Sequence, residues 1–542
     1  MKKRILITAA SLAILVTTVS FKSDFFEIAK QIEIFTTLFK ELNMNYVDEV
    51  NPAQLMDSAI EGMLADLDPY TKYWTEQEVE DARINNSGEY TGIGASVLSR
   101  NKKITIMEVY EDYPADKAGL QAGDELIKIG DITIADFEDD AGDLLQGAPG
   151  TSIPITYKRQ GKLQNTTLTR EEIDIPAVPF YSLIKDNIGY VVLSKFNKKA
   201  SAETAAAIKE LKEQGATSII LDLRGNPGGL LTEAINVSNL FLPKGKLITT
   251  TKSVIEKYNQ QYYTRNEPLD TNIPVAVLIN GRSASASEIV SGSLQDYDRA
   301  VIVGARSFGK GLVQRPKELT YGTQLKITIS RYYTPSGRCI QALDYWNRDE
   351  QGNAIRTDVA DYNAFKTSTG RTVYDGGGVL PDIVVESAKL SAITEALLKD
   401  QAIFDFATNY FYDHKIEKLS DFKFTQADYS AFKQFLDKQG FTYETRTEKE
   451  LEEAYLNSEK DDLQNAISTE YANLMKAIDA TKKRELDAKE NEISNLIIDE
   501  LVKRYFYRQG LYEYQINHNE EIAEAANVVT DAPRYRKILN QD

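Results

Sequence analysis

Histidine and cysteine are nearly missing from this chain. Its 542 residues include two histidines, His414 and His518, and one cysteine, Cys339. A single cysteine excludes an internal disulfide and a cysteine-rich zinc site. The two histidines lack partners at ligand spacing, so neither a metal nor a cofactor is expected. With no histidine before residue 414, a nucleophile earlier in the chain must use another base or borrow one from the tail. Basic residues are short as well. The 63 Lys and Arg against 81 Asp and Glu leave a formal charge of −18, the wrong sign for a protein whose main partner is nucleic acid.

One apolar run stands at the N-terminus. Lys2, Lys3 and Arg4 precede Ile5 to Phe21, the layout of a secretory signal, with Thr18 and Ser20 as small residues for cleavage. The alternative is an uncleaved anchor, since about 17 residues is the lower limit for crossing a bilayer. Export is therefore expected for residues 1–21 as signal peptide or tether, to the periplasm if the source is Gram-negative. No cysteine follows the run, which excludes lipid attachment there.

The length allows three or four domains of roughly 150 residues. Residues 24–86 read as helical: Phe25, Ile28, Ile32, Phe35 and Phe39 fall at three- and four-residue spacing, and Asn51 and Pro52 open a second helix. Residues 87–172 read as short alternating strands between Gly and Asp turns, interrupted by one helix near "EDDAGDLLQ". Residues 173–385 alternate strand and helix, from "IGYVVLSKF" through "SIILDLR" and "PVAVLIN" to "RAVIVG", the pattern of a largely parallel sheet. Residues 386–542 are charged and helical and carry no chemical motif. Stretches such as "ISNLIIDELVKRYFYRQG" must bury an apolar face within the chain or across an interface.

Residues 304–313, "GARSFGKGLV", match G-x-x-x-x-G-K but continue with Gly311 where a P-loop needs Ser or Thr. Gly311 and Pro316 also leave little room for the phosphate-binding helix. Lys310 therefore needs another role. Upstream, "VLINGRSASASEIVSGS" passes from a strand through a crowded turn into a helix, with Ser283, Ser285 and Ser287 at the helix start. Each serine could cap that helix, and one could present a nucleophilic hydroxyl beside backbone amides. Lys310 can serve as base if it is neutral. From a reference pKa of about 10.4, that requires about 4 kcal/mol of desolvation, within the range of buried lysines.

The run "GRSASASEIVSGSLQDYDRAVIVGARSFGKGLVQ", with "LDLRGNPGGLL", "SRYYTPSGRCIQ" and "GGGVLPDIVV", resembles the carboxyl-terminal processing (tail-specific) proteases over about residues 30–385. That resemblance implies an α+β multidomain chain with a crotonase/ClpP-like α/β protease core, a PDZ module inserted or preceding, and helical N- and C-terminal regions. Carried over by position, it implies Ser285 as nucleophile, Lys310 as general base and Gln314 as the residue that orients it. The oxyanion donors would be the amides of Ala286 and of Gly228 or Gly229, with Arg224 and Asn226 shaping that turn. "YTGIGASV" resembles a PDZ carboxylate loop, which places Gly92, Ile93 and Gly94 nearest a peptide terminus received as an added strand. The implied partners are protein substrates with exposed C-terminal tails, and self-association or an adaptor is a further expectation. The competing reading is a catalytically silent peptide-binding scaffold.

Overall fold

The computed structural model describes residues 25–137, 141–349, 352–385 and 390–541. The expected signal segment, with Thr18 and Ser20, lies outside the described residues. The chain divides into two compact units: residues up to Glu76 with Gln314–Thr328, and Gln77–Val313 with Ile329–Asp542.

In the first unit residues 25–45 form a helix, as their spacing predicts, and a second helix covers Pro52–Ala65. The Asn51 side chain accepts from the amides of Ala53 (2.9 Å) and Gln54 (3.3 Å), the N-cap geometry that Asn favours. The expectation of unbroken helices fails at Lys72–Trp74, a short strand paired antiparallel with Gln324–Lys326. Asp68 is the cause. Its carboxylate accepts from the amides of Tyr70 and Thr71 and from the Thr71 hydroxyl, a local turn that ends helical continuation.

The second unit opens with an antiparallel sheet in the order Ala95–Arg100, Lys103–Val109, Glu125–Ile129, Ser152–Arg159, Lys162–Thr169. Ile104, Ile106, Leu126, Ile155 and Leu168 fill its core. The helix expected near "EDDAGDLLQ" is a 3₁₀ turn, Ala141–Leu145. Gly142 disfavours a longer helix there, and residues 138–140 lie outside the described residues.

The central sheet has six strands: β1 (Phe180–Ile184), β2 (Ile188–Val192), β3 (Ser218–Asp222), β4 (Val275–Ile279), β5 (Val301–Gly304) and β6 (Ile383–Val384). They lie side by side in chain order, with β1 antiparallel and the others parallel. Strands β2 to β5 are buried at every position, so both faces need cover. Helices α1 (Ala200–Glu213), α2 (Leu231–Asn239) and α3 (Ala286–Asp296) supply one. They pack on Val191, Ile219, Leu221, Val277 and Ile302.

The other face carries Tyr190, Val192, Ile220, Leu278, Val301 and Val303. It is covered from the far end of the chain. Helix α4 (Glu490–His518) leads to α5 (Glu520–Thr530) and α6 (Ala532–Ile538), whose Ile522, Val528, Val529 and Tyr535 complete that cluster. The Tyr535 hydroxyl receives the Val275 amide at 3.0 Å. Earlier tail helices pack with the first half of α4 around Phe406, Phe432, Ile497 and Leu501 as a separate core. Among the described residues no helix is long and apolar enough to cross a membrane.

Candidate active site

The site grows from the carboxyl ends of β3 and β4, where two tight turns lock together. After β3 the chain reads Leu223 to Gly229. Asn226, fully buried, donates from its side-chain nitrogen to the Leu193 carbonyl at 2.7 Å, and its side-chain oxygen accepts the Gly228 amide at 2.9 Å. Its carbonyl accepts from the Ala284 amide (3.0 Å) and the Ser287 hydroxyl (2.9 Å). The turn after β4 is thereby tied to the turn after β3.

Glycine is required where they meet. At Gly228 (φ 98°) an added Cβ would stand 2.7 Å from the Ala284 carbonyl oxygen and 2.9 Å from the Ala286 nitrogen. At Gly229 (φ 151°) it would stand 2.3 Å from the Phe196 carbonyl oxygen. Both positive φ values and both close approaches exclude a side chain.

The three serines separate by environment. Ser283 and Ser287 are fully buried, and their hydroxyls donate to the carbonyls of Leu223 (2.8 Å) and Asn226 (2.9 Å). They hold turns. Ser285 is half-buried, stands at the N-cap of α3 and has φ 53° and ψ −108°, a region costly for any residue but glycine. Its neighbours Ala284 and Ala286 are buried.

Glu288, one turn into α3, was not singled out from the sequence. It is fully buried and collects four donors. Oε1 accepts from the Ser307 hydroxyl (2.6 Å) and the Gly309 amide (2.7 Å); Oε2 accepts from the amides of Ser285 (2.8 Å) and Lys310 (2.9 Å). Burial pushes its carboxyl above the usual range, opposed by these donors. The signal was present as Ser285-Ala-Ser-Glu288, a capping-box spacing. Val379 of the "GGGVL" run donates its amide to the Ser307 hydroxyl at 2.6 Å, which explains that segment's place beside the Lys310 loop.

Lys310 is half-buried and precedes a strand, Leu312–Glu318, rather than the helix a P-loop requires. The structure thus brings Ser285, Ala286, Gly228, Gly229 and Lys310 around one pair of turns. The Gly228 amide is occupied by Asn226, so Gly229 is the donor candidate from that turn. Gln314 belongs to the first unit, where its side-chain nitrogen donates to the Thr328 hydroxyl at 3.2 Å, which donates in turn to Asp68 at 3.0 Å. His414 and His518 are exposed in the tail, each stacked on the tyrosine four residues earlier. Among the described residues no group of three or more His, Cys, Asp and Glu side chains is placed to hold a metal ion.

In the β module Gly92 ends the strand Glu89–Gly92, and Ile93 and Gly94 lead through a bend into the strand Ala95–Arg100. At Gly94 (φ 68°) an added Cβ would lie 2.2 Å from the Tyr113 Cβ. The Ile93 carbonyl is tied to the Ala115 amide at 2.8 Å. Among the described residues that strand is the outer strand of its sheet, the position at which a peptide strand can be added.

Four family models match the chain: peptidase family S41 over residues 187–345, a PDZ domain over 105–159, "Probable PDZ-protease, C-terminal helical domain" over 393–529, and the activating protease CtpB N-terminal domain over 15–78. A carboxy-terminal-processing protease of Bartonella bacilliformis is 38% identical over 323 residues, 58% of this chain and 73% of that protein. A "Probable CtpA-like serine protease" of Staphylococcus epidermidis is 31% identical over 376 residues, 68% of this chain and 74% of that protein. A solved photosystem II D1 C-terminal processing protease is 26% identical with a TM-score of 0.36, over 65% of this chain and 86% of that one.

Proposed function

Since this chain belongs to the carboxy-terminal-processing proteases of peptidase family S41, we propose that it is an exported serine endopeptidase acting at or near C-terminal tails, with Ser285 as nucleophile and Lys310 as base. One observation carries this reading. The backbones of Ser285 and Lys310 converge on the same carboxylate oxygen, Glu288 Oε2, at 2.8 and 2.9 Å, so nucleophile and base are positioned by one buried group.

The chemistry runs in two halves. Neutral Lys310 takes the Ser285 proton as Oγ attacks the peptide carbonyl carbon. The oxygen's developing charge is met by the amides of Ala286 and Gly229. The C–N bond then breaks as the Lys310 ammonium returns the proton to the leaving amine. In the second half Lys310 deprotonates water as it attacks the acyl carbon, and the Lys310 ammonium returns that proton to Ser285 Oγ as the ester C–O bond breaks. Gln314 orients the amine. The PDZ loop at Gly92–Gly94 receives the substrate's terminal carboxylate and the strand Ala95–Arg100 pairs with its backbone.

Ser285→Ala and Lys310→Ala, assayed on a peptide with a free C-terminus, are expected to lose all measurable turnover. The wild-type rate should rise with pH on a limb between about 6 and 9 as Lys310 deprotonates. Full activity in Ser285→Ala, or a flat profile, would overturn the assignment. Amidating the substrate's C-terminus should slow processing, and equal rates would remove the PDZ capture role. Fractionation of cells should place the protein outside the cytoplasm.

A further inference from the structure

The turn that carries Gly229 is held from two sides. On the inner side Asn226 is buried and fully engaged. On the outer side stands Arg224, whose Nε and Nη2 donate to Asp222, at 2.6 Å for Nη2 to Oδ2. Asp222 also accepts the Tyr190 hydroxyl at 2.6 Å. The remaining guanidinium nitrogen, Nη1, reaches the tail: it donates to the Asn519 side-chain oxygen at 2.8 Å and pairs with Glu521. The Arg224 side chain is 11% exposed and that of Glu521 13%.

We infer that α5 positions the oxyanion turn for the reaction, with Glu521 and Asn519 acting through Arg224. This inference rests on the reading of the site given above. Between Arg224 and Leu230 the backbone has positive φ at Gly225 (70°), Gly228 (98°) and Gly229 (151°). Three such glycines make a segment with little rigidity of its own, so its amides point where its anchors hold them. A guanidinium that is largely buried keeps its place only while its donors are met. Helix stabilisation alone does not account for Glu521. Glu520 would serve the N-terminus of α5 equally well, and Asn519 already caps it by accepting the Ile522 amide at 3.1 Å. Among the described residues the second oxygen of Glu521 is buried with no hydrogen-bond partner. Its engagement is with Arg224.

The test uses the full chain, a fluorogenic peptide with a free C-terminus, and four variants. Glu521→Gln keeps the shape and removes the charge; Asn519→Ser keeps a capping residue but is too short for Arg224. Glu524→Gln, on the same helix and paired with Arg534, is the control, and Ser285→Ala tests the site itself. Loss of a whole oxyanion donor costs about 10²–10³ in kcat. A displaced donor in Glu521→Gln should cost about 10- to 100-fold in kcat, with KM and melting temperature near wild type and Glu524→Gln unchanged. A peptide boronate, whose adduct places an oxygen where the amides point, should bind Glu521→Gln weaker by the same factor. Wild-type kcat in Glu521→Gln, or a rise in KM alone, overturns the inference. Should Glu521→Gln fail to fold, Asn519→Ser decides on the same criteria. Activity in Ser285→Ala would overturn the site assignment beneath it, whereas an inactive Ser285→Ala beside a wild-type Glu521→Gln rejects this inference alone.

Discussion

The two faces of the central sheet are equally buried and differently built. One is covered by α1, α2 and α3, which connect β2 to β5 in succession. The other waits for α5 and α6, after the whole tail domain has been laid down. The cause is strand order. Strands β2 to β5 lie in the order of the chain with no reversal. Right-handed crossovers between parallel strands put every connecting helix on the same side unless the order reverses. A sheet that never reverses leaves its second face bare, and something remote must close it. Local sequence therefore builds one face, and long-range return of the chain builds the other.

That asymmetry has consequences of graded size. Deleting residues 519–541 removes Ile522, Val528, Val529 and Tyr535 from the second face. At about 1.5–3 kcal/mol for each large buried side chain, the loss rivals the whole stability of a typical domain. No cooperative melting transition is expected for the core, and an unchanged melting temperature would refute the structural role of the tail. Ile220→Ala and Leu221→Ala probe the faces from adjacent, fully buried positions of β3. Each should cost about 2–5 kcal/mol in denaturant unfolding. A negligible cost at Ile220 would mean that the tail covers its face only loosely.

Tyr535→Phe is finer. It removes the acceptor for the Val275 amide and the donor to the Arg299 and Val275 carbonyls at 3.2 Å, and should cost about 1–3 kcal/mol. An effect of similar size is electrostatic. Burial raises the Asp499 carboxyl, on α4, to about 6, above its unfolded value of about 3.9. The folded chain then holds this proton to higher pH than the unfolded chain does. The associated stability is present below about pH 4, is lost as pH rises through 6, and amounts to about 1–3 kcal/mol. Asp499→Asn should flatten that part of the pH dependence and melt higher than wild type at pH 7.5.

Much of this was legible before the structure. The buried strands, the serine-rich turn and the lack of a helix after Lys310 all follow from local pattern. The role of Ser283 and Ser287 did not, because capping chemistry treats three neighbouring hydroxyls alike until their carbonyl partners are placed. Glu288 was hidden for the opposite reason: a glutamate in the first helical turn reads as solvent-facing until the loop that buries it is known. The strand at Lys72–Trp74 was lost to the surrounding helical pattern. The cover of the second face was visible only as an amphipathic demand in the tail, with no signal for where it would be met. The carboxylate that meets Arg224 from the tail comes from nearly three hundred residues away, and no window of sequence contains both.

The backbone at Ser285 has one more implication. At φ 53° and ψ −108° the position is one that glycine would occupy with less strain. Ser285→Gly should therefore fold at least as well as the native chain while having no hydroxyl to offer. On the role proposed for Ser285, selection of this protein for heat tolerance alone would drift toward a variant without turnover, so any directed-evolution campaign on it must screen turnover alongside robustness.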